Sequence, residues 1–399
     1  MESPTRLVFL YPLVHRPLRT GFTDQFERLS ATCSGHIFAV SSSVHRDIAV
    51  GRFRLNAGPA GSSSLRELVA WARLQIALPL RRIRRRGADA IVTFDPYTSG
   101  LAGLALSRAL AAKLIVELNG EYHTDYQMKE DGRNPVKAGL MRRVLDLVLR
   151  SADAVKVLNA SQEAFVRARY PGKPVYRFFA FTATTYFRAL PTYDGGYLLS
   201  VGHPFHTKGM DVLIQAFRRV LQTHPTARLR IMGHCPEPEL SRHRELAGND
   251  PRVEFVKPGW MQEVGEQMRG CVALVNAARS EAMGRVHLEA MACRKPIVAT
   301  RTSGGLDCVE DGRTGLLCGI EDVDDLTNKV GWVLSNTDRA RAMGEQGFER
   351  LQEKFTEQRY IENFQAMLSD VVRGGGAQGW NGWATPSRRP SAIPNRRGA

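Results

Sequence analysis

Short apolar runs alternate along this chain with longer segments whose apolar residues recur at helical spacing. In the first half, residues 7–13, 37–40, 90–94, 114–118, 154–158 and 175–179 read as buried strands. Between them Phe22, Phe26 and Leu29 keep a helical period, 65–86 reads as mostly helical with a kink at Pro79, and 99–112 reads as a helix. A further helix runs through Leu145 and Val148, and 161–168 is a short helix capped by Ser161. The Gly- and Ser-rich stretch 52–64 reads as a loop, as does the polar stretch 121–134.

After a linker at 191–196 the alternation restarts. Strands are expected at 197–201, 229–232, 254–256, 272–275 and 297–300, and helices at 210–221, 324–334, 337–354 and 357–372. In the first of these helices Met210, Leu213, Ile214, Phe217, Val220 and Leu221 share one face. Two rounds of strand–helix alternation imply two doubly wound α/β domains with parallel sheets and ligands at the carboxyl ends of the strands. The expected units are an N-terminal domain at 1–190, a C-terminal domain at 191–354, a helix at 355–373 crossing back to the first domain, and a basic disordered tail at 374–399.

At 399 residues the chain can bury two cores, and its apolar and charged fractions are those of a soluble globular protein. A formal net charge of +15 favours an anionic partner such as phosphorylated substrates, a membrane surface or nucleic acid. The arginines are concentrated at Arg81, Arg82, Arg84, Arg85 and Arg86 and in the tail; a solvated helix end and an anionic membrane surface both fit the first group. Neither a recognition helix nor interleaved aromatics accompany the charge, which turns the reading away from nucleic acid. Cys33, Cys235, Cys271, Cys293, Cys308 and Cys318 lack the paired short spacing of a zinc or redox motif and suit a reducing compartment. Charged residues interrupt every long apolar run, so the expected location is cytoplasmic, with any membrane contact peripheral.

The stretch 280–305, SEAMGRVHLEAMACRKPIVATRTSGG, carries the most chemistry. It reads as acidic turn, helix from about Gly284, strand and glycine turn. Unpaired N–H groups and the positive dipole end at the helix start suit a phosphate, with Gly284 permitting close approach. Glu289 lies five residues beyond Gly284, about 7–8 Å along the helix, where a sugar attached to that phosphate would sit. Taken alone, Glu281 and Glu289 are equally well explained as a helix-start preference and a solvated helix face. A second turn, VGHPFHTKG at 201–209, places Lys208 at another strand-to-helix junction, where a lysine can grip phosphate oxygens as a point charge.

In combination and order, VGHPFHTKGMDVLIQAF, RLRIMG, EAMGRVHLEAMACRKPIVAT and SGGLDCVEDGRTGLL resemble the retaining nucleotide-sugar glycosyltransferases of family 4, which have the GT-B fold. RTGF, ELNG and SADAVKVLNAS add weaker likeness in the first half. The resemblance implies a hexose-type sugar moved from a nucleotide diphosphate to a hydroxyl acceptor with retention, in cell-surface polysaccharide or glycoconjugate synthesis. It implies neither cofactor nor metal. A lipid-linked acceptor is one candidate.

By the same resemblance Lys208 contacts the donor diphosphate, Glu281 holds the transferred sugar and Glu289 the ribose. Gly284, Arg285 and Val286 offer backbone N–H groups to the phosphates, Ala282 and Met283 also bind the donor, Gly202 and Gly209 frame the lysine turn, and Gly21 lets an N-terminal loop approach the donor. Val256, Lys257 and Pro258 match the segment that meets the base. His203 stands where the family commonly has arginine, so its help to the leaving group depends on protonation. Asn119 stands where a histidine often precedes glycine, here Gly120, with His123 nearby on the acceptor side. Arg294 replaces a usual glycine at some backbone cost. The competing readings are an inactive sugar-nucleotide binder, a glycosidase using Glu281 and Glu289, and a nucleic-acid binder.

Overall fold

The computed structural model describes residues 3–374, apart from 13, 15–17, 19, 61–63, 123–134, 190–192, 194, 258 and 260. His123, Pro258 and the tail from 375 therefore lie outside the described residues. The first sheet contains β1 (Thr5–Tyr11), β2 (Cys33–Val40), β3 (His45–Val50), β4 (Phe53–Gly58), β5 (Ala90–Thr93), β6 (Lys113–Leu118), β7 (Ala154–Val157) and β8 (Val175–Arg177), in the order β3-β4-β2-β1-β5-β6-β7-β8. The second contains β9 (Tyr197–Val201), β10 (Leu229–Met232), β11 (Val253–Val256), β12 (Cys271–Asn276), β13 (Ile297–Thr300) and β14 (Gly315–Cys318), in the order β11-β10-β9-β12-β13-β14. Strand order reverses between β1 and β5 in one sheet and between β9 and β12 in the other. These are the places where open α/β sheets leave a crevice.

The continuous apolar runs became central parallel strands because both their faces are covered. The helix Met210–Thr223 buries Met210, Leu213, Ile214, Phe217 and Val220 against the second sheet, each contributing up to about 1.5–3 kcal/mol. Phe178, Phe179 and Phe181, beyond β8, meet Phe355, Tyr360 and Phe364 of the C-terminal segment, with ring centroids 5.4–6.5 Å apart. The helix Glu357–Arg373 thus lies on the first sheet, where Phe364 stacks on Phe9 at 5.9 Å and Gln365 reaches Thr32 at 2.8 Å.

Several local expectations are corrected. The stretch read as a loop at 52–64 contains β4, and β3 joins it as an antiparallel hairpin turning at Gly51 and Arg52, with φ +56° at Gly51. The edge strand β3 is mostly exposed, so it lacks the apolar run that marks a buried strand. The helical stretch within 65–86 includes a π turn at Arg73–Ala77 preceding Pro79. Asn159, not Ser161, caps the helix Ala160–Arg169, accepting from the Gln162 amide. Helices Glu237–Leu246 and Met261–Gly270, and strand β14, were not anticipated. The glycine turn 303–305 is the first turn of the helix Ser303–Cys308. Arg294 adopts φ +57°, as its replacement of a glycine requires.

Candidate active site

Lys208 follows β9 and Glu281 follows β12, the two adjacent strands at the reversal of the second sheet. The turns after them approach closely. Gly209 has φ +61°, and a Cβ there would lie 2.1 Å from the Ala277 carbonyl oxygen, so glycine is required both by conformation and by space. Lys208 Nζ meets Glu281 Oε2 at 2.6 Å, with side-chain exposures of 18% and 14%. Burial alone would raise the Glu281 carboxyl. The charge of Lys208, nearby His287 and hydrogen bonds from Lys208 and the Gly284 amide outweigh it, holding the group below the usual carboxylate range.

Arg279 ties the two turns together. Its guanidinium grips both oxygens of Asp211 at 2.8 Å and the His206 carbonyl at 2.6 Å, while its amide donates to Thr207 O at 2.9 Å. Glu321 receives its Nε at 2.7 Å. Beneath the second turn, His287 is fully buried and receives Asn276 Nδ2 on Nε2 at 2.9 Å. Burial pushes its imidazole down to about 4, keeping it neutral near pH 7. Gly284, at φ +71°, leaves no room for a side chain above that ring: an added Cβ would lie 2.3 Å from Nδ1. Gly284 caps the helix Arg285–Ala292, which confirms the expected helix start.

The two turns border a cleft of about 870 Å³ walled by both sheets. From the second sheet come Gly202, His203, Lys208, Glu281, Ala282, Met283, Gly284, Arg285, Val286 and Glu289; from the first come Gly21, Phe94, Glu117, Asn119 and Lys156. A Cβ at Gly21 would make only ordinary contacts, 3.5 Å to Met261 Sδ and 3.7 Å to the Ala183 Cβ. Gly120 is off the cleft wall, with its carbonyl receiving Gln162 Nε2 at 3.0 Å. Val256 ends β11 half-buried and Lys257 is exposed beyond it. Neither lines the cleft, whose nearby wall is formed by Gly259, Met261 and Gln262.

Asn159 joins the two walls. Its Oδ1 caps its helix, and Nδ2 donates at 2.8 Å both to Glu121 Oε1 and to the carbonyl of Ala282. Burial raises the Glu121 carboxyl to about 7 despite hydrogen bonds from Asn159 and Ser303, with Glu281 and Asp307 adding to the rise. The reading of the sequence missed Arg279, His287, Glu121, Asn159, Glu117 and Lys156. For Glu117 and Lys156 a signal was present: each is a charge inside an otherwise apolar run, LIVEL and AVKV.

The profile described as Glycosyl transferases group 1 matches residues 184–350, and that described as Glycosyl transferase 4-like domain matches 36–179. An uncharacterised glycosyltransferase of Methanocaldococcus jannaschii is 31% identical over 156 residues, covering 39% of this chain and 43% of the relative. A D-inositol 3-phosphate glycosyltransferase of Arthrobacter sp. is 27% identical over 298 residues, 68% of this chain and 69% of the relative. The chain thus spans less than half the length of the first relative and about two thirds of the second. Sucrose-phosphate synthase from Thermosynechococcus elongatus superposes with a TM-score of 0.78 at 18% identity, over 92% of this chain and 99% of that one, a likeness of fold. With both halves matched and two parallel-sheet domains facing one cleft, the chain belongs to the group 1 glycosyltransferases of family 4, enzymes of the GT-B fold.

Proposed function

We propose that this enzyme moves a hexose-type sugar from a nucleotide diphosphate to a hydroxyl acceptor, with retention of anomeric configuration and without a metal. The observation that carries the proposal is the 2.6 Å contact of Lys208 with Glu281 at the strand reversal, on the wall of a cleft shared by both domains. Lys208 meets the donor diphosphate, together with amides at the start of the helix Arg285–Ala292; the Gly284 amide itself is turned to Glu281. Glu281 takes hydroxyls of the transferred sugar and Glu289 those of the ribose. His203, exposed on the wall, adds charge beside the phosphates when protonated. The base lies beside Gly259, Met261 and Gln262, the stretch of wall that follows Val256 and Lys257 in the chain.

In the reaction the acceptor oxygen bonds to the anomeric carbon on the face that the phosphate leaves. The breaking C–O bond gives its electron pair to the nucleotide diphosphate, and the acceptor proton passes to the departing phosphate oxygen. Lys208 and the helix amides stabilise the developing negative charge, so the protein need supply neither nucleophile nor general acid. Glu281, held in its ionised form, suits hydroxyl binding and opposes its use as the proton donor of a glycosidase. Among the described residues the cluster with metal-ligand chemistry, Cys235, Glu239 and His243, is off the cleft wall.

The acceptor lies on the first-sheet side, near Asn119. A membrane-bound acceptor, used in cell-surface glycan or glycoconjugate synthesis at the inner face of the membrane, is supported by the helix Leu65–Ala72. This helix buries none of its residues and exposes Leu65 at 78%, just ahead of the exposed arginines 81–86. No helix among the described residues is long and apolar enough to cross a membrane. The test is a screen of nucleotide sugars for saturable binding, then product analysis by NMR for the anomeric configuration, with and without EDTA. An α-linked product from an α-linked donor, formed equally in EDTA, supports the proposal; inversion or metal dependence contradicts it. Anionic liposomes test the surface: binding that survives neither high salt nor arginine removal is expected, and no binding contradicts it.

A further inference from the structure

At the foot of the cleft on the first-sheet side, two charges occupy positions that the strand pattern would fill with apolar residues. Glu117 of β6 and Lys156 of β7 are register partners in adjacent parallel strands. Their side chains are 9% and 1% exposed, and both line the cleft. Lys156 Nζ stands 3.6 Å from Glu117 Oε1 and 4.9 Å from the ring centroid of Phe178. The second oxygen, Glu117 Oε2, receives Asn119 Nδ2 at 3.0 Å, and the same amide nitrogen donates to Phe94 O at 2.9 Å. Asn119 Oδ1 is buried without a hydrogen-bond partner.

Stability does not account for such a pair, because the lost hydration of two buried charges commonly outweighs their attraction. Nor are the two groups consumed by each other. Their separation exceeds the roughly 2.7–2.9 Å of a close charge-assisted hydrogen bond, and an ammonium has N–H groups to spare. Side by side, they offer donors and acceptors with no net charge. A phosphate oxygen drawn to Lys156 would be brought against the Glu117 carboxylate. A hydroxyl instead accepts from Lys156 while donating to Glu117 or to the unpartnered Asn119 Oδ1.

We propose that Glu117, Lys156 and Asn119 form the polar floor of the acceptor subsite and select an uncharged polyhydroxyl ring, a sugar or cyclitol, over its phosphate ester. This rests on the glycosyltransferase reading above. It separates the chain from its relative named for inositol 3-phosphate. Glu117 and Lys156 are positioning and specificity residues; they hold the acceptor ring and take no part in bond making.

The experiment first titrates the wild-type protein with nucleotide sugars. Absence of binding there defeats the glycosyltransferase reading itself, and with it the subsite. With the binding donor at saturation, nucleotide diphosphate release is followed with glucose, mannose, N-acetylglucosamine and myo-inositol, and with a monophosphate ester of each. At least one neutral ring should speed release tenfold or more over water while its ester does not. An ester that matches or exceeds its parent, or no response to any neutral ring, overturns the proposal with donor binding intact. Glu117→Gln and Lys156→Met should each raise the acceptor KM at least tenfold while donor Kd stays within twofold. Because either change leaves a buried charge alone, the double variant, which removes both, is measured as well. An unchanged acceptor KM in that variant, or equal losses of donor and acceptor affinity, marks the pair as scaffold and overturns the assignment.

Discussion

Lys208 Nζ lies 2.6 Å from Glu281 Oε2, although the two residues are 73 positions apart and follow different strands. The contact fixes the spacing of two subsites, because an ammonium serves a phosphate as readily as a carboxylate, and a carboxylate serves hydroxyls as readily as an ammonium. It arises from strand order: β9 and β12 are neighbours at the reversal of the second sheet, so the turns that follow them must meet.

Arg279 is the tie that keeps those turns in register, at 7% side-chain exposure. Arg279→Ala should lower stability by on the order of 2 kcal/mol, the scale of lost hydrogen bonds to charged groups. It should also lower kcat/KM although the residue is absent from the cleft wall. Arg279→Lys should recover little of either, since it cannot hold both oxygens of Asp211 in one plane. Thermal unfolding and steady-state kinetics on the two variants check this.

The glycines divide into two kinds. Gly209→Ala forces a Cβ against the Ala277 carbonyl at a positive φ and should cost more than about 1 kcal/mol of stability, seen as a clear drop in Tm. Gly21→Ala meets only ordinary contacts within the protein, so its Tm should stay near wild type while the donor KM rises several-fold. A large stability loss at Gly21, which lies in the first turn of the helix Thr20–Leu29, would contradict its assignment to donor approach.

Much of this frame was legible in the sequence. The apolar runs at β9, β10 and β13 and the helix Thr337–Lys354 carry unmixed periods, and the Lys208 and Glu281 turns stand out by their glycines and charges. What escaped notice depends on contacts between distant segments. β3 is exposed and polar, so only its pairing with β4 makes it a strand. Arg279 and Asn159 look like surface residues until Asp211 and Ala282 are brought beside them. Glu117 and Lys156 gain meaning as a pair only once their register is known.

Glu121 gives a pH signature. Burial raises its carboxyl from an ordinary 4.5 to about 7, so the folded protein keeps a proton that the unfolded chain releases. The resulting contribution is fully present below about pH 4.5 and is lost as pH rises through 7. His287, lowered from 6.5 to about 4 mainly by burial, acts with the opposite sign, adding stability as pH rises between those values. Comparison with Glu121→Gln isolates the first effect. The Tm advantage of the variant over wild type should grow from pH 5 to pH 8, and a constant difference would contradict the raised carboxyl.

The central claim is that Lys208 holds the donor phosphates while Glu281 holds the sugar beyond them. Calorimetric titration of wild type, Lys208→Ala and Glu281→Ala tests it directly, using the nucleotide sugar that binds and the corresponding nucleotide diphosphate. Lys208→Ala should weaken both ligands by tenfold or more. Glu281→Ala should weaken the nucleotide sugar by a similar factor and leave the nucleotide diphosphate within about twofold. Equal losses for both ligands in both variants, or wild-type affinity in either, would contradict the account.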